Sequence, residues 1–152
     1  MNAVARRADV APGTVLYHYP TPEDLAEAVV DSWIEEFVPP SVDSIASSDP
    51  LELRIATLVE ELFALYDRSG GAYRVYQKSP GHPVLQKANE WWVENVQGML
   101  MKALGPHAED AENIKVVSVL VNPGFRGTLI EAGLDPDRVV EIATELVLDW
   151  LR

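Results

Sequence analysis

Apolar residues along this 152-residue chain recur at every third or fourth position and almost never at every second. That rhythm matches the 3.6-residue turn of an α-helix and excludes a sheet, whose strands need alternation. Proline cuts the rhythm into segments. Thr21-Pro22, Asp49-Pro50 and Asp135-Pro136 are helix starts. In each the short polar side chain can accept from N–H groups that lack an intrahelical partner, and Pro gives up an N–H that has no use there. Pro12 heads another, short helix that reaches about Tyr19. From Glu23 an apolar face of Leu25, Ala28, Val29, Ser32, Trp33 and Phe37 runs until Pro39-Pro40 stops it. The next helix follows Asp49-Pro50, with Glu52 placed for a capping box and Gly70-Gly71 at its end. Tyr73 to Lys78 reads as a short helix, and Val84 to about Leu104 as a long one. Residues 109–133 read as one helix, kinked at Asn122-Pro123-Gly124, and a last helix runs from Asp135 to the carboxyl end. The expected fold class is all-α.

Charge is distributed unevenly. The net charge is −12, yet residues 1–22 hold Arg6 and Arg7 against Asp9 alone, a net of +1 that leaves −13 for everything after. An acidic body repels phosphates, so any contact with DNA has to come from the amino-terminal tip. With no cysteine, disulfide frameworks, thiolate metal sites and cysteine nucleophiles are excluded. No apolar run is long enough to span a bilayer and nothing resembles a secretory leader, which makes the cytoplasm the expected compartment. Catalytic signatures are absent: no Gly-x-Ser-x-Gly, no phosphate-cradling Gly-rich loop, no His-Glu-x-x-His. His18, His82 and His107 are far apart, and the adjacent pairs Glu35-Glu36 and Glu60-Glu61 suit solvated helix faces. We expect no enzyme activity, no cofactor and no metal.

Residues 5–29, ARRADVAPGTVLYHYPTPEDLAEAV, have the proportions of a helix-turn-helix: a helix end, a turn at Asp9-Val10-Ala11 and a short second helix. This segment resembles the DNA-binding region of the TetR family of bacterial transcriptional regulators. The resemblance implies a headpiece over residues 1–37 and an all-helical ligand-binding and dimerisation body over 38–152. Thr14, at the start of the recognition helix, suits a phosphate through its hydroxyl and the N–H groups of the first turn. Tyr17 and His18 are long enough to reach phosphates or base edges from one helical face. Arg6 and Arg7 could flank a phosphate from the preceding helix, while Val15 and Leu16 divide between headpiece core and a thymine methyl. Three departures from the family stand out. Asp9 takes the usual turn glycine's place, Pro12 and Pro22 stand where many members have Lys, and Met1 falls inside what should be the family's second helix. A two-helix headpiece should leave Val4, Val10 and Leu16 partly uncovered. Two readings follow: a natural start upstream of Met1, or a chain that has given up DNA binding.

The resemblance also implies a homodimer built from the last two helices, with Leu120, Gly124, Thr128, Leu129, Ile142, Leu146 and Trp150 at the interface. A two-fold dimer suits a palindromic double-stranded operator. A small-molecule effector would bind between the helix at 50–68, the helix at 84–104 and the kinked one. Candidate pocket residues are Phe63, Tyr66, Trp91, Trp92, Asn95, Met99, Asn122, Phe125 and Arg126, which combine aromatic area with a few polar groups. Trp91 and Trp92 are neighbours on a helix and cannot both face inward. The implied mechanism has the ligand tilt the helix at 23–37 and change the spacing of two headpieces. The alternative is a dimeric helical module that binds a small molecule or a protein and no DNA.

Overall fold

Where the first helix ends, the chain needs a residue that tolerates the left-handed backbone region, and Asp9 supplies it. In the computed structural model, which describes residues 1–36, 42–69 and 83–152, Asp9 has φ +55°. α1 (Asn2–Arg7) is closed by the Val10 N–H donating back to the Ala5 carbonyl at 3.0 Å, the long-range bond of a Schellman stop. α2 (Pro12–His18) begins on its proline and packs on α1, with Ala5 and Val15 buried between them.

α3 (Pro22–Glu36) starts on a reciprocal cap. The Asp24 N–H donates to Thr21 Oγ1 at 3.1 Å, and the Thr21 N–H returns to Asp24 Oδ2 at 2.9 Å. The pair works as a capping box with Asp in the place usually held by Glu. Residues 1–36 and 83–89 form one compact unit; 42–69 and 90–152 form another. The 3₁₀ turn Pro83–Leu85 packs with α3, so this short piece, which the pattern groups with the body, joins the headpiece.

The second unit is built on α4 (Leu51–Arg68), the 90–104 part of α5 (Gln86–Leu104), α6 (Ala111–Leu120), α7 (Pro123–Glu131) and α8 (Pro136–Trp150). α4 lies against α8. Ile55, Leu58, Val59, Leu62, Phe63 and Leu65 are buried on α4, and Val139, Ala143 and Val147 make a four-residue repeat on α8. Each large side chain taken out of water there contributes about 1.5–3 kcal/mol. From the segment before α4, Ile45 also enters the core. The 3₁₀ turn Val42–Ser44 is tied to α5 by Lys102, whose Nζ donates to the Val42 carbonyl at 2.7 Å and lies 3.6 Å from Asp43.

Two local expectations are corrected. α4 is capped by Pro50 with no side-chain bond. Glu52 then falls one position early, and a proline cap has no N–H for it to reach, so no capping box forms. The helix expected to kink at Asn122-Pro123 instead ends and restarts. Asn122 Oδ1 accepts from the Phe125 N–H at 2.7 Å, a full N-cap, and Pro123 occupies the first position of a new helix. The cap on α8 follows the sequence, with Asp135 accepting from the Asp137 N–H at 3.0 Å; α6 starts on a cap not read from the sequence, Asp110, which accepts from the Glu112 N–H at 2.8 Å. The helix expected over Tyr73 to Lys78, and the stops at Pro39-Pro40 and Gly70-Gly71, lie outside the described residues.

Candidate functional site

Two places carry the residues singled out from the sequence, one in each unit. In the first, α2 turns a polar and aromatic face to solvent. Thr14, Tyr17 and His18 are all exposed, Tyr17 at 82%, and their spacing of three and four residues sets them on one side of the helix. The Tyr17 and His18 rings meet edge to face, with centroids 5.1 Å apart. This contact restrains two long side chains that would otherwise sweep freely. Tyr19 is half-buried, as suits a core-facing ring. Arg6 and Arg7 are exposed on the last turn of α1.

Of Val15 and Leu16, Val15 is buried in the core and Leu16 is exposed. One detail of the phosphate expectation changes. The Thr14 N–H already donates to the Ala11 carbonyl at 2.9 Å, and Pro12 has no N–H. The start of α2 therefore offers an anion less backbone than a full first turn, and the Thr14 hydroxyl adds a side-chain donor there. Val4, Val10 and Leu16 stand 41–47% exposed, the uncovered apolar surface expected of two helices without a third across them.

The second place is a cavity of about 300 Å³ in the body. Val93, Val96 and Leu100 from α5, Ile114 from α6, and Val121 and Pro123 at the α6–α7 break supply its apolar wall. Tyr66, Gln97, Ser118 and Asn122 add neutral polar groups. The Tyr66 hydroxyl donates to the Val121 carbonyl at 3.0 Å, so one hydrogen bond ties α4 to the break in the cavity wall.

Of the pocket residues expected from sequence, Tyr66 and Asn122 line this cavity. Phe63 and Met99 are buried in the core instead. Arg126 sits over the Phe63 ring at 5.6 Å and pairs with Asp67 at 2.8 Å, fastening α7 to α4. Phe125 and Asn95 are half-buried. Trp91 and Trp92 fall on α5, and their side chains lie outside the described residues. The wall that sequence reasoning missed has a helical signal: Ile114, Ser118 and Val121 repeat at four and three residues, as do Val93, Val96, Gln97 and Leu100 at three, one and three.

The interface candidates lie on the outside of this unit. α7 has no buried residue at all. Leu120, Leu129 and Ile142 are half-buried, Gly124 and Thr128 exposed, and Val119, Leu146 and Trp150 are exposed at 42–58%. The Trp150 indole N–H donates to Asn113 Oδ1 at 3.0 Å, which fixes the ring at the end of α8. Among the described residues no group of His, Asp and Glu is arranged to hold a metal, and no helix is long and apolar enough to cross a membrane. No family model, no curated protein and no solved structure matches the chain.

Proposed function

We propose that the chain is a ligand-responsive transcriptional regulator of the TetR kind, binding a palindromic operator as a homodimer through α2. One observation carries the reading: the exposed Thr14–Tyr17–His18 face on the second helix of a helix-turn-helix pair, in an amino-terminal segment, residues 1–22, of net charge +1. The remainder of the chain carries a net −13, so a duplex meets less repulsion at this face than over the average of the body. The dimer is supported by α7, which has no fully buried residue, and by the exposed Val119, Leu146 and Trp150 on the sequence elements that flank it. A small molecule in the body cavity would bind the two headpiece spacings unequally, which is what a change in operator affinity requires. On this reading the protein is no enzyme and works in the cytoplasm.

The second reading is a dimeric sensor without DNA binding. Selection from a random duplex pool, followed by anisotropy titration of the winners, separates the two. Enrichment of a two-fold symmetric site, lost in the Tyr17→Ala and His18→Ala variants, supports the regulator. Dimerisation with no enriched site at low salt leaves the sensor.

A further inference from the structure

The cavity wall also limits what can occupy it. Nearly a quarter of the chain is Asp, Glu, Lys or Arg, yet among the described residues none of these lines the cavity. An ionised group seated against this wall would meet no countercharge among the described residues, so it loses hydration there without a charged partner to offset the loss. The polar groups present are neutral and partly committed. Asn122 Oδ1 holds the Phe125 N–H, which leaves the amide NH₂ to face an occupant, and the Tyr66 proton is given to Val121. At about 300 Å³ the space is at the lower end of ligand pockets and too small for a folded peptide element.

We propose that this cavity takes an uncharged, predominantly hydrocarbon molecule of two or three rings, held between α5, α6 and the α6–α7 break. The proposal rests on the ligand-responsive reading above and adds the class of effector. Its seat explains how binding reaches α7: the occupant touches Val121, Asn122 and Pro123, the residues whose cap and Tyr66 bond set where that helix begins.

The test uses two dyes that share one aromatic skeleton and differ by a charge: neutral phenylnaphthylamine and anionic anilinonaphthalene sulfonate. Titrations are run at 0.5 M salt, where the screening length is roughly 4 Å and the acidic body no longer repels the anion at a distance. The expected result is saturable, blue-shifted binding of the neutral dye, with the sulfonate weaker by about tenfold or more. Val93 lines the cavity and is 45% exposed, so Val93→Lys should fold; Ser118→Lys, on the facing helix and also exposed, is its counterpart. Either variant should weaken the neutral dye and strengthen the sulfonate. Equal affinity of the two dyes for the wild type overturns the proposal, as does no saturable binding of the neutral dye. Lysine variants that change neither affinity place the dye elsewhere and overturn it too. A neutral dye that follows the expected pattern but leaves the affinity for a selected duplex unmoved supports the cavity's chemistry and overturns only the regulatory reading.

Discussion

Replacing Gly105 by alanine should destabilise the body by about 2–4 kcal/mol, from two separable causes. Gly105 follows the last residue of α5 with φ +56°, and an L-residue in that region costs roughly 1–2 kcal/mol. An added Cβ would also lie 2.5 Å from Nη1 of Arg54, about 1 Å inside ordinary carbon contact. Arg54 is 9% exposed and its Nη1 faces the Lys102 carbonyl at 3.5 Å, where a cation suits the negative end of a helix. Pushing the guanidinium aside removes that partner from a buried charge whose Nε is already unpaired among the described residues, adding about 1–2 kcal/mol. With a urea m-value of roughly 2 kcal/mol per molar, the midpoint should fall by about 1–2 M. The decisive arm repeats Gly105→Ala in an Arg54→Met background, where only the backbone cost of about 1–2 kcal/mol should remain. Equal losses in both backgrounds would refute the role given to Arg54; a loss below about 0.5 kcal/mol in the parent would refute both causes.

Thr21→Ala removes the hydroxyl that accepts from the Asp24 N–H while keeping the backbone N–H that donates to Asp24 Oδ2, and should lower the stability of the first unit by about 1 kcal/mol, read from amide exchange along α3. Tyr17→Ala and His18→Ala remove exposed side chains, so thermal midpoints should stay within about 0.5 kcal/mol of the parent while affinity for a selected duplex falls at least about tenfold; loss of fold with loss of binding would return Tyr17 to the headpiece core. Leu146→Asp should turn a dimer into a folded monomer in sedimentation velocity, and an unchanged sedimentation coefficient would remove α8 from the interface. Asp9→Gly should raise stability by roughly 0.5–1 kcal/mol, because glycine takes φ +55° without the cost an Asp bears.

Most of the helix boundaries were legible because they depend on local chemistry. Asp9 in the turn, Pro12 and Pro22 at first positions, and Asp135 as a cap all act within four residues of themselves, and a single sequence displays such neighbours. Glu52 misled because its role depended on where α4 starts to the residue, and Pro50 took the cap. The break at Asn122 was visible as an irregularity, but whether a helix bends or restarts is decided by where the Asn side chain points. Arg54 gave no sign at all: a cation on an amphipathic helix reads as solvated, and only the arrival of the α5 end from 48 residues away gives it a buried place. The cavity was half legible. Its aromatic and amide members, Tyr66 and Asn122, draw attention by type, whereas Val93, Val96 and Ile114 look like any core residue until the helices around them leave a space unfilled.

The restart at Asn122 bears on how this chain can change over time. In an unbroken helix, one inserted or deleted residue turns everything downstream by about 100° and scrambles every face at once. Here Val121 and Asn122 separate two helices, each with its own start, so a length change at that junction can be taken up by the connection while the register of α7 is set afresh by its own cap. The cavity side of α6 and the outer side of α7 are therefore free to diverge separately.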